Sequence, residues 1–539
     1  MAMATDTAYR FRRRHFLATG IGGAAALLFT PAWLREALAA PAVGGAGPYG
    51  ELLPPDANGL QLPPGFTSRQ LSRGGSPVEG TAFPWHFSPD GQATFRTKDG
   101  GFVLVQNSEA PGVLGGGSAA IRFAPGGEVT SAYPILVGTN LNCAGGPTPW
   151  GTWLSGEEHE GGMIWEADPS GVLPQMPRPA LGNFSHEAAA VDPVAGHVYL
   201  SEDQGDGLFY RFTPDQPGNL ASGLLEAAVV DPSGAVSWVE VPDPNVVTAG
   251  AETRNQVPDA ARFDGGEGLW YSEDVVYYTT KGDKRVWAYD CRAETIEVLY
   301  DGENTPGAAL NAVDNVTVSP SGDVYVCEDG GNMEICLISP DRVVSPFVRL
   351  VGDEHQNSEM TGVVFDPSGT RMYFSSQRSY PVAPLPEGAP SEASVLAHGA
   401  TYEVTGPFRL PDGGVPESWI YGPPAGERAG LPGLGDVPGL RLESTRALLG
   451  TVNATVRSDR AARMHAVVRS FDLKRESRGD GTHDRPLPVT LARWSGDVGA
   501  GTTRLSLALS RLAPTGVLTV VAERDDGTRR VLARTLKLG

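Results

Sequence analysis

A thiol and two carboxylates are crowded into one short stretch of this chain, NCAGGPTPWGTWLSGEE at 142–158. Cys143 opens it, Glu157 and Glu158 close it, and a Gly/Pro-rich turn and a short aromatic run at 150–154 lie between. Thiolate sulfur and carboxylate oxygen brought to one loop end form a donor set for a hard or borderline cation, iron or zinc among them. The competing reading is a buried cysteine ahead of a solvated acidic turn. The rest of the chain decides between the two.

Further acidic motifs stand beside runs with strand character: Glu187 in FSHEAAAVD, Glu202-Asp203 in YLSEDQ, Glu267 in FDGGEGLW, Asp314-Asn315 in VDNVTVSP and Glu328-Asp329 in YVCEDGG. Taken singly, each is more often a solvated turn residue. Taken together with Cys143 they describe a site, provided the fold brings them to one place. Crowded carboxylates repel one another and need cations to neutralise them. Calcium accepts many oxygens in loose geometry and is the natural occupant. Neighbours on a strand point opposite ways, so spacing alone leaves open which member of each acidic pair faces the ion.

The fold that could do this is all-β. Glycine and proline are abundant (69 and 45 residues) and charged residues few, which favours turns and strands over helices. A Pro–Gly phrase recurs as FSPDG at 87, FAPGG at 123, ADPSG at 167, VDPSG at 230, VSPSG at 318 and FDPSG at 365, with a looser copy, VDPVAG, at 191. Small antiparallel units repeating near every 40 residues are the mark of a β-propeller, here six-bladed over residues 45–410 with an insertion at 207–255. In a propeller the inner strand ends converge on a central channel, which is where the acidic motifs would meet. A β-sandwich is the alternative, but it does not require the repeated turn.

A Pro/Gly-rich linker spans 411–438. Residues 439–539 alternate apolar and polar positions and end in a hairpin turning at Asp526-Gly527, as in a small immunoglobulin-like β-sandwich without a catalytic cluster. That module suits packing or surface attachment. The net charge of −21 argues against nucleic acid as a partner. Of the four cysteines, Cys327 and Cys336 fall in adjacent strand-like runs and could pair; Cys143 has no evident partner, and Cys291 stands apart.

Residues 1–39 read as an export leader. Arg12-Arg13-Arg14 precedes a weakly apolar Gly/Ala-rich run and then Ala37-Leu38-Ala39, a twin-arginine signal with its cleavage site. The apolar run is too short for a stable span. The expectation is passage of a folded, cofactor-loaded protein through the twin-arginine export machinery to the periplasm, cell surface or medium.

The segments NCAGGPTPWGTWLSGEE, NFSHEAAAVD, EGLWYSEDVVYYTT and DNVTVSPSGDVYVCEDGG, with the Arg-Arg leader, resemble the PhoX-type alkaline phosphatases across about residues 45–405. The resemblance implies a six-bladed propeller carrying Fe3+ and Ca2+ at one end of its channel and hydrolysing phosphate esters outside the cytoplasm. It implies that Cys143, Glu187 and Glu267 are metal-liganding residues, with Glu187 and Glu267 at the catalytic centre. Asp329 or Glu328, and Glu158 or Glu157, would supply further metal carboxylates. The partner would be a small-molecule phosphate ester acted on by a monomer, with no serine or histidine nucleophile required. His186 would only support Glu187, and His159 and His355 would be surface or loop residues.

Three departures from the family pattern weaken the phosphate contacts more than the metal ligands. The family places an arginine two residues before the glutamate where this chain has Gly265-Gly266-Glu267, and Arg262 is offset from that position. His159 follows the acidic pair in place of asparagine, and Asn107-Ser108-Glu109 replaces Asn-His-Glu. Two other functions therefore stand beside phosphatase: a calcium-dependent propeller hydrolase acting on another ester such as a lactone, and a metal-binding envelope protein without turnover. If the absent arginine limits activity, Gly265→Arg is expected to raise it.

Overall fold

The computed structural model describes residues 41–415 apart from 113–114, 246–251, 306–308, 357 and 381–397. It further describes residue 425 and, within 440–537, all but 449–450, 479–480, 511–514 and 524–528. The export leader at 1–39, most of the 411–438 linker and the Asp526-Gly527 turn lie outside the described residues. Among those described there are strands, turns and single turns of 3₁₀ helix, and no α-helix. No helix is long and apolar enough to cross a membrane.

Residues 43–405 form six sheets, antiparallel but for the short parallel pairing of Val43–Gly44 with Val343–Leu350, that follow one another along the chain. Their first strands are Pro89–Arg96, Asn142–Pro147, His186–Val191, Gly266–Ser272, Val316–Val318 and Met360–Phe365. Each first strand packs against the next, and the sixth returns against the first. All six line one axial cavity, to which Gly91, Ala144, Ala188, Gly268, Asn315 and Gly362 each contribute. The architecture is all-β and propeller-like. The last sheet is completed by the early strand Thr67–Arg73 beside Ala400–Thr405, so the ring is tied shut by the two ends of its own chain. The third sheet carries a fifth antiparallel strand, Val236–Glu240, which is where the sequence placed its insertion.

Small residues are required where the first strands converge. A β-carbon on Gly91 would stand 2.6 Å from the Cα of Ala144, and one on Gly268 would stand 2.7 Å from the Cα of Asn315. Side-chain clamps fix adjacent sheets in the same zone. Asn107 donates to the carbonyls of Cys143 (3.1 Å) and Ala144 (2.8 Å) in the next sheet. Ser201 donates to the carbonyl of Glu267 (2.6 Å) and Thr361 to that of Pro89 (2.9 Å). Tyrosines, phenylalanines and tryptophans fill the outer interfaces, as where Tyr199, Phe209, Trp238, Tyr278 and Tyr289 cluster between the third and fourth sheets.

The recurring Pro–Gly phrase marks turns rather than sheet number. At 191, 318 and 365 it joins first and second strands; at 123 and 230 it joins later ones, and FSPDG enters the strand Pro89–Arg96. The reason is local. Asp168, Asp192 and Asp231 each accept the backbone N–H two residues on (2.9, 2.7 and 2.7 Å), an aspartate-capped turn that suits any strand connection.

Cys327 and Cys336 do not pair. They sit diagonally on neighbouring strands, Val326 opposite Cys336 and Cys327 opposite Ile335, and their side chains enter different apolar clusters. All four cysteines are free thiols.

Beyond residue 440, seven strands form two sheets, of three and four strands. Numbered within this segment, their orders are 1-2-5 and 4-3-6-7. Alternate residues Val452, Ala454 and Val456 of one sheet and Met464, Ala466 and Val468 of the other enter one shared core.

The ring's close approach is testable. Gly268→Val should destabilise the protein by about 2 kcal/mol or more, because backbone rather than a yielding side chain blocks the added carbons. Gly499→Ala, with open space around it, should stay within about 0.5 kcal/mol of the parent in denaturant unfolding.

Candidate metal centre

Strand pairing slips at an equivalent place in five of the six sheets: between Pro89 and Gln92, Asn142 and Gly145, His186 and Ala189, Gly266 and Leu269, and Thr361 and Val364. A β-bulge re-aims the residue it displaces. Those displaced include Asp90, Cys143, Glu187 and Glu267; in the sixth sheet Thr361 stands just ahead of the slip, and the fifth sheet offers Asp314 just ahead of Val316–Val318. The bulges thus bring together residues far apart in sequence. Donor atoms of Asp90, Cys143 and Glu187 all lie within 4.8 Å of one another, as do those of Glu187, Glu267 and Asp314. Glu109, Cys143 and Glu158 form a third such group.

A second set of side chains surrounds these, from the ends of the second strands: Glu109, Glu158, Asp203, Lys281, Asp329 and Gln377. In five of the six sheets the backbone N–H of the residue in this set bonds the residue preceding the first strand, Glu109 to Ser88, Glu158 to Leu141, Asp203 to Ser185, Lys281 to Gly265 and Gln377 to Glu359. Gln377 donates to both Asp90 and Glu109. Lys281 pairs with Glu267 at 2.6 Å and Asp203 at 2.8 Å, and Arg378 pairs with Glu359 at 3.1 Å and Glu109 at 3.7 Å.

This resolves the adjacent acidic pairs. Glu157, Glu202 and Glu328 each accept the backbone N–H six residues on, from Met163 (3.3 Å), Leu208 (3.2 Å) and Glu334 (3.0 Å). The first acid of each pair therefore closes its own hairpin, and the second reaches the channel mouth. Glu157 and Glu328, expected as possible metal ligands, are structural acceptors instead. Asp329 reaches the mouth beside Glu359, although it belongs to none of the three close groups. His186 is not a support for Glu187: its ring packs on Phe184, and Nε2 meets the Gly182 carbonyl at 3.1 Å. His159, in the loop after Trp153–Glu157, and His355, in the 3₁₀ turn Asp353–His355, lie between strands as expected but are buried rather than at the surface.

Electrostatics explain what such a site demands. Burial, then repulsion from Glu109, lifts Asp90 to about 7. Burial lifts Glu267 to about 8, against the pull of Lys281. Glu187 and Asp314 are pushed well above the carboxylate range by burial and then by Glu267, and the Cys143 thiol is raised by burial and then by Asp90. Both oxygens of the fully buried Glu187 and Oδ1 of Asp90 have no hydrogen-bond partner. A buried carboxylate without donors costs several kcal/mol unless a charge partner neutralises it. Cations supply that partner, and sulfur with oxygen, or oxygen alone, are donor sets that iron and calcium accept. The residues fit the group.

Of the side chains gathered here, sequence reasoning named Cys143, Glu158, Glu187 and Glu267 as candidates, and Asp314 and Glu109 within motifs. It missed Asp90, Glu359, Lys281 and Arg378. One signal was present: a donor followed by a small residue, as in Asp90-Gly91, Cys143-Ala144, Glu187-Ala188 and Glu267-Gly268. Arg262 is no substitute for the missing arginine, since its guanidinium bonds the carbonyls of Asp206 and Arg254. Gly265 has φ +67°, and a β-carbon there would meet Cγ of Lys281 at 2.8 Å. The lysine already occupies that space, so the expected gain from Gly265→Arg gives way to an expected loss.

A propeller-like ring with a thiol and carboxylates gathered at its channel defines a class of protein with a donor set able to hold metal ions. The sequence model for alkaline phosphatase PhoX matches residues 111–167 and 159–379, about half of the chain and five of the six first strands. The chain belongs to the PhoX alkaline phosphatase family. No curated protein matches it in sequence. Among solved structures, it is similar to a gluconolactonase from Xanthomonas campestris, at 12% identity and a TM-score of 0.38, covering 67% of this chain and 99% of that one. It is similar also to a structural-genomics protein of unknown function from Bacteroides thetaiotaomicron, at 10% identity and a TM-score of 0.39, covering 63% and 76%. Likenesses this loose say nothing of activity.

The two kinds of acid can be separated. Glu157→Ala should cost about 1–3 kcal/mol in unfolding of chelator-treated protein, because two buried N–H groups lose their acceptor. Glu158→Ala should leave that stability intact, since it relieves repulsion, but reduce the metal retained on purification.

Proposed function

We propose that this chain is an exported, metal-dependent phosphoric-ester hydrolase. Its catalytic part would be a six-bladed β-propeller at 45–410, joined through 411–438 to an immunoglobulin-like accessory module at 439–539. The blade count is supported by the six successive sheets closing on one cavity. The module reading is supported by seven strands in two sheets around one core, with the fourth strand on the opposite sheet from the constant-type immunoglobulin arrangement.

The observation that carries the reading is Glu187, buried, without a hydrogen-bond donor and shared between two groups of candidate ligands, in a chain of the PhoX family. Cys143 with Asp90, Glu109, Glu158 and Glu187 would hold Fe3+, and the carboxylates of Glu187, Glu267 and Asp314 would hold Ca2+. When bound, such cations neutralise phosphate oxygens and lower the pKa of water. The chain's own part is to fix that donor set. The bulges aim it, and Asn107, Ser201 and Thr361 hold the backbone on which it rests. No serine or histidine is needed as nucleophile. The substrate would be a small phosphate ester met outside the cytoplasm by a monomer, after export directed by the leader at 1–39.

The test is release of p-nitrophenol from p-nitrophenyl phosphate by the metal-replete protein. Chelation should abolish it, and calcium with ferric iron should restore it. Turnover of a lactone with no phosphate release would overturn the reading. Cys143→Ala should lose iron while its thermal unfolding remains cooperative; full iron content in that variant would contradict the ligand assignment.

A further inference from the structure

Lys281 directly follows its second strand, the position at which three other sheets place a carboxylate (Glu109, Glu158 and Asp203) and one an amide (Gln377); in the fifth sheet the acids Glu328 and Asp329 follow Val324–Cys327. Its stem runs over Gly265, where a side chain would collide with it. Arg378 follows Gln377 on the sixth sheet, so the two cations approach the acidic cluster from different sides, each within electrostatic reach of Glu158. Both stand on the solvent side. The side chains of Lys281 and Arg378 are 38% and 35% exposed, whereas their partners Glu267 and Glu359 are 5% and 9% exposed. An anion arriving from solvent meets these two cations before it meets Glu267 and Glu359.

Arg378 is held rather than loose. Its backbone N–H donates to Ser358 Oγ (2.9 Å), that hydroxyl bonds Ser376 Oγ (2.8 Å), and Ser376 bonds Nδ1 of the buried His355 (3.0 Å). Lys281 is fixed by its two carboxylate partners and by its N–H bond to Gly265. A guanidinium forks onto two oxygens, and an ammonium is a compact single charge that can take a third.

We infer that Lys281 and Arg378 are the substrate-binding cations of the mouth, receiving the non-bridging oxygens of a terminal phosphate. This rests on the hydrolase reading above. A phosphate monoester presents the free oxygens that two separated cations can share, whereas a diester gives up one of them to its second alcohol. The lysine thereby supplies from the fourth sheet's second strand the positive charge that position 265 cannot carry.

The experiment uses the full-length, metal-replete protein and its Lys281→Met, Lys281→Arg and Arg378→Met variants. Inorganic phosphate binding is measured by calorimetry, KM and kcat are measured on p-nitrophenyl phosphate, and iron and calcium are assayed in each sample. Loss of either cation should weaken phosphate binding by about 10- to 100-fold, the usual range for a charged hydrogen bond. KM should rise with it, metal content should stay at the parent level, and Lys281→Arg should recover most of the affinity. Unchanged phosphate affinity in both methionine variants overturns the inference. So does a Lys281→Met protein that loses metal yet binds phosphate normally when reloaded, which would make the lysine only a brace for Glu267. Lysine-dependent phosphate binding by a parent protein without turnover would uphold the inference while removing the hydrolase reading.

Discussion

Repulsion among buried carboxylates is the constraint on which the rest of this structure depends. Asp90, Glu187, Glu267 and Asp314 are directed into one buried space with the Cys143 thiol, and Glu109, Glu158, Asp203, Asp329 and Glu359 crowd its rim. Only Lys281 and Arg378 answer them from among the described side chains of the mouth. Such an arrangement persists in a folded protein only if the surrounding scaffold is stiff and the charge is neutralised, by protons taken up or by cations bound.

The stiffness comes from the closed ring. Each first strand is squeezed between two others, with glycine or alanine where backbones nearly touch, and hydroxyl and amide side chains clamp one sheet's bulge to the next. The bulge is the local device and the ring the global one. An unbulged strand would send alternate residues into the two interfaces between sheets, as most of these strands do. A one-residue slip sends one side chain to the axis instead. The hairpin-closing glutamates Glu157, Glu202 and Glu328 then secure the second strands, whose next residues form the outer set.

Much of this was legible in the sequence, for identifiable reasons. The strand-rich, propeller-like fold followed from turn chemistry and alternating apolar runs; Cys143 stood out by its surroundings, and Glu187 and Glu267 were singled out among the acidic motifs by the family resemblance. Spacing alone could not separate Glu157 from Glu158 or Glu328 from Asp329. That distinction depends on which carboxylate finds the N–H six residues on, a contact made only after the hairpin closes. Asp90 was hidden because FSPDG has the composition of a turn. Its strand bulges, and the aspartate faces inward. The Cys327–Cys336 pairing failed because a diagonal register turns the two thiols toward different interfaces. Lys281 and Arg378 were missed because a basic residue after a strand is usually a solvated end, and only the equivalence among the six sheets gives it meaning.

The central claim is that the buried thiol and carboxylates exist to bind cations. Elemental analysis of protein purified from its export route without chelators tests this most directly. The account predicts iron and calcium together in fixed ratio to protein. Calcium alone would remove the role given to Cys143, and protein free of both metals would contradict the claim outright.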